Sequence, residues 1–375
     1  MTPKYLSVNM NRFSGETDFF HGKTECTGIL LVNLGTPDRP DKKSVRRYLR
    51  EFLSDPRVVE IPRLLWLPLL YGFILTTRPA KSATAYTRIW QQTGSPLLDY
   101  SAKLSKQLER EMQIRFAGKI QVELGMRYGN PSIESALDKL RLHGAKRILV
   151  FPLYPQYSGT TTATTIDQVN KIMRKWRWIP ELRFINQYYD HPAYIHALSQ
   201  RVKQFSKKQK ASRLLLFSFH GLPQRNLQLG DPYFCQCQKT ARLLAKKLHL
   251  KQSEWKISFQ SRFGKAQWLK PYTSEVLKEF PKNNIGKIQV MCPGFPVDCL
   301  ETLDEINIEN RKYFTEAGGK DFNYIPALND SDEHVKMLAD IAQQHTQGWP
   351  EINHPWDMKK VQKMAERAKK LGENH

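Results

Sequence analysis

The sequence predicts an α/β protein built from two Rossmann-like, doubly wound halves with parallel sheets and an active-site cleft between them. Short apolar runs alternate with helical segments along most of the chain, which is the pattern of parallel sheets. The 375 residues, of which 40% are hydrophobic, are enough for two such cores. Polar residues follow several apolar runs directly, and open parallel sheets bind ligands beyond the carboxyl ends of their strands.

The first predicted element is a buried strand at residues 28–34, GILLVNL, which the turn Gly35-Thr36-Pro37 closes. Helical patterns follow at 44–52, in a segment that ends near Trp90, and at 96–115. From there the alternation becomes regular. It predicts strands at 120–126, 147–153, 182–186, 213–219, 255–260 and 287–291, and helices at 132–142, 161–176, 191–206, 234–249, 272–280 and 299–316.

This alternation divides the chain into segments. Residues 1–27 are polar and irregular and form an N-terminal extension, after which the first half spans 28–180 and the second half spans 181–330. A helix at 331–345 is expected to cross back to the first half. The last segment, 346–375, has few apolar residues and many lysines, so we expect an exposed basic extension there.

The chain carries 58 Lys and Arg against 36 Asp and Glu, and this net charge of +22 favours an anionic partner. Nucleic acid, an anionic membrane surface and an acidic substrate all satisfy that charge. The sequence contains no RNP, zinc-finger or leucine-zipper pattern, so nucleic acid is not an expected partner.

The sequence also bears on the cellular compartment. Five cysteines form an odd set, and the first residues lack the basic-then-apolar pattern of a signal peptide, so we expect a reducing cytoplasm. The longest apolar stretch, 61–76, contains Arg63 and two prolines and is shorter than the roughly 20 residues of a membrane span. It is either a core helix or an interfacial lip. A lip would attach the protein peripherally to the inner face of a membrane.

A histidine, His220, stands at the end of a predicted strand in the motif FSFHGLP. The glycine and proline that follow it turn the backbone away from the sheet. A neutral imidazole at such a position accepts a proton or binds a metal near neutral pH. A histidine that only hydrogen-bonds within its own loop is the structural alternative.

The strand at 287–291 runs into a segment that is dense in acids, CPGFPVDCLETLDE. If a helix begins at Asp298, this residue caps the helix and Glu301 completes a capping box. The functional alternative is that Asp298, Glu301 and Glu305, spaced i, i+3 and i+7, lie on one helix face beside the cleft. Such a row of carboxylates relays protons or attracts a cation.

Two other kinds of site are not expected. Cys235 and Cys237 are too close in sequence for a Cys-x-x-Cys zinc knuckle, and the other cysteines follow no zinc spacing. Neither G-x-G-x-x-G nor a Walker loop occurs, and the nearest candidate, SGTTT at 158–162, has a single glycine. We therefore expect no nucleotide cofactor.

Several long motifs occur in a fixed order: LLVNLGTPD, the segment from Arg78 to Pro96, LYPQYSGTTT, FSFHGLPQR followed by GDPY, FQSRFG with Trp268-Leu269, and CPGFPVDCLETLDEI. Together they resemble the ferrochelatase family over about residues 28–344. The resemblance implies a chelatase-like fold and the insertion of ferrous iron into protoporphyrin IX. This reaction is the terminal step of heme synthesis and releases two protons. Iron is then a substrate ion, and the porphyrin binds between the halves.

The resemblance also assigns roles. It places His220 and Glu301 at the iron site, with His220 as iron ligand or proton acceptor, Glu301 as its acidic counterpart and Asp298 as a helper that orients or relays. Insertion displaces two pyrrole protons, so a base and a distorting pocket are needed. The residues assigned to the porphyrin are Arg78, which can pair with a propionate, and Tyr86, Ser95, Arg127, Tyr128, Tyr154, Trp268 and Phe295. A packing role stays open for Arg127, Tyr128, Tyr154, Trp268 and Phe295.

The chain departs from part of the family pattern. Some members hold a [2Fe-2S] cluster with cysteines of a C-terminal extension, but no cysteine follows Cys299 here, so no cluster is expected. Cys299 also stands where some relatives have a second histidine. Coproporphyrin or another divalent metal stays open as substrate, because a His/Glu site discriminates poorly among divalent ions. A non-enzymatic porphyrin carrier is the alternative from another class.

Overall fold

The computed structural model describes residues 12–15, 22–207, 214–264, 266–355 and 357–371 of the chain. Its strands form two parallel sheets of four strands each. The strands are β1 (Cys26–Thr36), β2 (Ile120–Gly129), β3 (Ala145–Pro152), β4 (Glu181–Phe184), β5 (Leu214–His220), β6 (Trp255–Gln260), β7 (Lys287–Met291) and β8 (Asp321–Ile325).

Helices connect and cover these strands. The α-helices are α1 (Lys42–Leu53), α2 (Arg63–Leu69), α3 (Leu75–Ile89), α4 (Pro96–Arg115), α5 (Ile133–Leu142), α6 (Thr164–Met173), α7 (Pro192–Ser206), α8 (Gln224–Gln228), α9 (Tyr233–Lys247), α10 (Thr273–Glu279), α11 (Arg311–Glu316), α12 (Asp332–His345) and α13 (Met358–Lys370). The described chain also has π-helical segments at Leu70–Ile74, Gly159–Ala163 and Glu301–Asn310, and 3₁₀ turns at Gln252–Glu254, Pro281–Asn283 and Pro350–Ile352.

The two sheets repeat one strand order. The first is β2-β1-β3-β4, the second is β6-β5-β7-β8, and every pair is parallel. The inner strands β1 and β5 are almost entirely buried, which explains why both read as continuous apolar runs in the sequence. The prediction of an α/β fold with two parallel-sheet halves is confirmed.

Two strands differ from the prediction. Residues 182–186 are predicted to open the second half, but β4 pairs with β3 and completes the first sheet. The predicted boundary at 181 is wrong by one strand, because an apolar pattern carries no information about pairing partners. β8 is absent from the prediction, since it is a short edge strand of sequence DFNYI. Arg213 and most of 1–27 lie outside the described residues.

The segment after α12 also differs from the prediction. Trp349 is 2% exposed, and its indole Nε1 donates a 2.7 Å hydrogen bond to Glu181 of β4. Glu351 is buried and pairs with Arg147 of β3. Helix α12 packs on α4 of the first half. Residues 346–352 are therefore packed into the first half, and within the described part of the extension α13 is the mostly exposed element.

Residues 61–76 form the structure that we call the lip. One apolar face is buried, where Trp66, Leu70, Ile74 and Leu75 pack together. The other face is open to solvent and consists of Ile61, Leu64, Leu65, Leu69, Tyr71 and Phe73, with Leu64 being 91% exposed. None of the described helices is long and apolar enough to cross a bilayer.

Candidate active site

His220 is the last residue of the inner strand β5 and is partly exposed. Gly221 follows with no room for a side chain, because a Cβ would lie 2.7 Å from the carbonyl oxygen of Gln260. The Nδ1 atom of His220 is 2.6 Å from the carbonyl oxygen of Gly221. A carbonyl oxygen only accepts hydrogen bonds, so Nδ1 carries the proton in the neutral ring. Nε2 then holds the free lone pair.

Two aromatic residues that the sequence assigned to the porphyrin flank this histidine. The ring centroid of Phe295 is 6.3 Å from that of His220. Trp268 is held by an antiparallel bridge to Pro223, and a Cβ on Gly221 would lie 3.2 Å from its indole ring. The indole Nε1 is buried, with no hydrogen-bond partner among the described residues. The structure therefore brings His220, Phe295 and Trp268 together.

The helix with the predicted acids begins beside His220. We call the π-helical segment Glu301–Asn310 the acid helix. Gln260 of β6 lies in register with His220, and its Nε2 donates a 2.8 Å hydrogen bond to the main-chain oxygen of Glu301. The Oε1 of this buried glutamine accepts a hydrogen bond from Ser218 at 2.8 Å. Gln260 thus fixes the start of the acid helix next to the end of β5.

The carboxyl group of Glu305 also lies beside the end of β6, next to Gln260. It accepts hydrogen bonds from the main-chain N–H of Ser261 at 2.6 Å and from the Ser261 hydroxyl. Ser261 has a left-handed backbone, with φ of 65°, which is uncommon outside glycine and indicates a functional constraint. Burial raises the pKa of Glu305, while the hydrogen bond from Ser261 and the charge of His220 lower it. The sequence placed Glu305 in the acidic row but not among the site residues.

Asp298 belongs to a different hydrogen-bond network. Its carboxylate is 3% exposed and accepts hydrogen bonds from the side chains of Asn329 at 2.7 Å, Thr302 at 2.9 Å and Tyr324. No main-chain N–H of the first turn of the acid helix donates to it among the described residues, so the predicted capping box is wrong. Its oxygens are occupied by protein donors, which favours the orienting role over the relay role.

The first half supplies Tyr86 and Ser95, both buried at the end of β1. The Thr36 hydroxyl donates a 2.9 Å hydrogen bond to Ser95. The ring of Tyr86 packs edge-on against Tyr48, with centroids 6.5 Å apart. Burial and, next, the charge of Glu301 raise the pKa of the Tyr86 hydroxyl. Tyr86 is therefore within electrostatic reach of the acid helix, as a residue of the cleft should be.

Arg78 and Tyr154 lie elsewhere on the first half. The guanidinium of Arg78 stacks on Phe263 at 3.9 Å from the ring centroid, and among the described residues no carboxylate pairs with it. The side chain of Arg78 is exposed overall, but partial burial of its guanidinium lowers the pKa of Arg78. The hydroxyl of Tyr154 is buried and has no described hydrogen-bond partner. Both side chains therefore keep polar groups that a ligand could use.

Arg127 and Tyr128 are committed to the protein itself. The carboxylate of Asp55, at the base of the lip, accepts hydrogen bonds from Arg127, from the Tyr128 hydroxyl at 2.9 Å and from Thr164. Tyr128 is fully buried. These contacts favour the packing role for both residues: they tie the segment between α1 and α2 to β2 and α6.

The SGTTT loop is occupied by a carboxylate of the chain. Asp231, in the GDPY motif of the second half, accepts hydrogen bonds from the N–H of Gly159 at 2.8 Å and from the hydroxyl of Ser158 at 3.0 Å. Tyr233 donates its N–H to the other oxygen of Asp231 at 3.0 Å. The loop that most resembled a phosphate site therefore connects the two halves.

Comparison with known proteins agrees with this arrangement. The family model for ferrochelatase matches residues 26–346. A ferrochelatase of Thioalkalivibrio sulfidiphilus (strain HL-EbGR7) is 51% identical over 363 residues, which cover 96% of this chain and 98% of the relative. A ferrochelatase of Nitrosococcus oceani is 50% identical over 357 residues, 95% of this chain and 97% of the relative.

Solved structures support the fold. The sirohydrochlorin chelatase SirB from Bacillus subtilis subspecies spizizenii, in complex with cobalt, has a TM-score of 0.52 at 11% identity. It covers 86% of this chain and 97% of its own. The described residues contain no cluster of three or more His, Cys, Asp or Glu side chains suited to a metal ion. The family model and the relatives cover nearly the whole chain, so the chain belongs to the ferrochelatase family, the enzymes that insert ferrous iron into a porphyrin in heme biosynthesis.

Proposed function

We propose that this chain inserts ferrous iron into protoporphyrin IX between its two halves and that His220, Glu301 and Glu305 handle the ion and the two released protons. The observation that carries this assignment is the imidazole of His220, whose Nε2 has a free lone pair beside the start of the acid helix. Insertion needs a ligand for the incoming ion as well as acceptors for the pyrrole protons, because the ion and the protons compete for the same nitrogens.

The roles divide between the halves. Arg78, Tyr86 and Tyr154 of the first half would hold the macrocycle and its carboxylates, while Trp268 and Phe295 of the second half would press on its face. Asp298 would position the loop that carries Phe295 and Glu301. Ser95, Arg127 and Tyr128 would support the pocket from behind. Their hydrogen bonds within the chain support that indirect role.

A single nitrogen cannot hold iron and accept a proton at the same time. His220 and Glu301 would therefore bind the incoming ion, and the protons would leave through carboxylates as the iron–nitrogen bonds form. Glu305 suits this task, because burial raises its pKa and makes it a better proton acceptor than an exposed carboxylate. Iron(II) enters, two N–H bonds break and two protons leave, so the charges balance without a redox step.

No [2Fe-2S] cluster and no nucleotide take part in this proposal. Asp231 already uses the donors of the SGTTT loop, so this loop has no free donors for a phosphate. The described cysteines are all free thiols, which fits a reducing cytoplasm. Protoporphyrin IX is the expected substrate, with coproporphyrin as the second candidate.

The test is an absorbance titration of the purified protein with protoporphyrin IX, followed by anaerobic ferrous iron. We expect a bound-porphyrin spectrum and then its conversion to that of heme over many turnovers. Parallel assays with coproporphyrin, Co²⁺ and Zn²⁺ give the substrate and metal preference. Porphyrin binding without insertion of any metal would leave only the carrier function, and a clear preference for coproporphyrin would replace protoporphyrin IX as substrate.

We also infer that the lip contacts an anionic membrane surface. The buried face of the lip packs on Leu49 and Leu53 of α1. This helix also packs on α3 and exposes Lys42, Lys43, Arg46, Arg47 and Arg50, while the apolar side chains of the other lip face stay open to solvent. Apolar side chains beside basic ones are typical of interfacial attachment. In flotation with phosphatidylglycerol vesicles, Leu64→Asp should lose binding, whereas Leu142→Asp, an exposed leucine outside the lip, should not. Equal flotation of both variants and the wild type would contradict a membrane role of the lip.

A further inference from the structure

Helix α3 and the acid helix contact each other directly, although they belong to different halves. The apolar part of this contact consists of Ala83, Tyr86 and Ile89 of α3, with Leu300 and Leu303 of the second half packed against them. Helix α3 carries Arg78 and Tyr86, and the acid helix carries Glu301 and Glu305. The contact therefore joins the element that grips the porphyrin to the element that handles iron and protons.

A bidentate ion pair completes this contact. Arg88, in the last turn of α3, donates from Nε and Nη2 to the two carboxylate oxygens of Asp304 at 2.6 and 2.7 Å. Asp304 is 5% exposed and Arg88 is 40% exposed in their side chains. Glu309, also on the acid helix, lies 3.3 Å from the same guanidinium. In the described part of the chain, Arg88 is the one donor to the Asp304 carboxylate.

The position of Asp304 on the acid helix allows the ion pair with Arg88 to fix the rotation of that helix. In a π-helix, bonded i to i+5, a spacing of four residues is just under one turn, so Glu301 and Glu305 share a side. Asp304 lies on another side, towards α3. A planar guanidinium fork fixes both the distance and the orientation of a carboxylate. The fork therefore sets how far the acid helix is rotated about its own axis.

We propose that Arg88 and Asp304 are positioning residues for iron insertion: their fork holds the acid helix at the rotation that aims Glu301 and Glu305 at the porphyrin gripped by α3. This inference rests on the proposed function of the acid helix. An ion pair that only stabilised the fold would change neither the turnover nor its pH dependence.

The test uses Arg88→Gln, Asp304→Asn and the double variant, with anaerobic steady-state insertion and the pH profile of kcat as readouts. We expect each single variant to lose about tenfold in kcat and to shift the pH profile, while the KM for porphyrin changes less than twofold. The double variant should be no slower than Asp304→Asn, because both residues act through one contact. Arg88→Lys, which keeps the charge but not the fork, should fall in between.

The matched control is Arg115→Gln, which removes an Arg–Asp pair of similar length, 2.6 Å to Asp340, outside the cleft. It should keep the wild-type kcat and pH profile. Thermal unfolding of every variant shows how much folded enzyme enters each assay. Single variants with wild-type kcat and pH profile, or losses that add in the double variant, overturn the proposal. Wild-type insertion in the same assay tests the proposed function separately.

Discussion

The central strands of the two halves end in the same way but carry different chemistry. β1 ends in Leu34-Gly35-Thr36-Pro37 and β5 in His220-Gly221-Leu222-Pro223. In each case the glycine packs on a carbonyl of the neighbouring edge strand, since a Cβ on Gly35 would lie 1.8 Å from the Tyr128 oxygen and one on Gly221 2.7 Å from the Gln260 oxygen. Leu34 therefore occupies the position that His220 occupies in the other half.

The fold therefore provides an equivalent position at the end of each central strand, and the residue at that position determines the chemistry that is possible there. The end of β1 leads through Thr36 to Ser95, whereas the end of β5 leads through Gln260 to the acid helix. The repeated strand order gives both halves a ligand site at their carboxyl ends. Under the proposed function, one half would hold the macrocycle and the other half would bind the ion and take up the protons.

The largest loss of activity is expected when His220 is replaced by leucine, the residue at the matching position of the first half. His220→Leu removes the nitrogen that is proposed to bind the incoming ion and should lower kcat by about 10²- to 10⁴-fold, as the loss of a positioned catalytic group does. The affinity for protoporphyrin should change only a few fold, since the first half is intact. Single-turnover insertion and porphyrin fluorescence measure the two quantities. His354→Leu, an exposed histidine outside the cleft, is the control; a His220→Leu enzyme with wild-type kcat would contradict the division of roles.

The two glycines should differ in how much they tolerate a side chain. Gly35→Ala meets backbone at 1.8 Å and also has a φ of +110°, so we expect it to lower the free energy of unfolding by about 4 kcal/mol. Gly221→Ala meets one oxygen at 2.7 Å and should cost about 1–3 kcal/mol and displace His220. Urea unfolding compares them with Gly72→Ala, where no atom lies within 4 Å. Equal stability of all three would show that the strand ends are not tightly packed.

Much of the fold was predictable because burial leaves a direct pattern. β1 and β5 are buried on both faces and read as apolar runs. The edge strands are harder to predict: β4 is only partly buried and its pattern assigns it to the wrong half, and β8 is not predicted at all. Composition alone does not predict that part of 346–375 is packed on the first half. The segment is mostly polar and basic, but the single buried residue Trp349 anchors its first part.

Site residues that directly follow a strand can be predicted from the sequence. Site residues whose role depends on contacts with distant residues are harder to predict. His220 was found from its place after β5. The roles of Ser261 and Gln260 could not be read from sequence, because they arise from a left-handed backbone and from cross-strand register. The π-helical form of the acid helix was also not predicted, and it decides that Asp304 is turned towards Arg88. A left-handed serine directly after a strand carries no sequence signal.

The stability contributed by α12, which packs on α4 and α7, should depend on pH. His334 at the start of α12 is fully buried, its Nδ1 hydrogen-bonds the Asn329 carbonyl, and Nε2 has no described partner. Burial lowers the pKa of His334 to about 4 from 6.5. The unfolded chain therefore binds the proton first, and stability present above pH 6.5 is lost as the pH falls towards 4.

We expect this histidine to remove about 2 kcal/mol of stability between pH 7.5 and pH 5.0. The difference in unfolding free energy between the two pH values, from urea titrations, should shrink by that amount in His334→Phe. His354→Phe, at an exposed histidine, should keep the wild-type pH dependence. If His334→Phe kept it as well, the buried histidine would not titrate in this range and the packing of α12 would be insensitive to pH.

The smallest loss of activity is expected for Arg78 of the first half, which is proposed to bind a porphyrin propionate. Arg78 has no carboxylate partner in the described structure and stacks on Phe263, so its guanidinium is available to a propionate. Because the residue is exposed, Arg78→Ala should raise the KM for protoporphyrin only about tenfold, or about 1.4 kcal/mol, and leave kcat within twofold. Arg78→Lys should lie between, since it keeps the charge without the fork.

The dimethyl ester of protoporphyrin, which has no carboxylates, shows whether Arg78 acts on a propionate. The wild type should bind the ester about tenfold more weakly than the acid, and Arg78→Ala should bind both equally, because the same interaction is removed from either side. Binding is followed by quenching of tryptophan fluorescence. If the ester and the Arg78→Ala losses add, the arginine supports Phe263 or the lip instead of a propionate, and substrate grip must come from other residues of the first half.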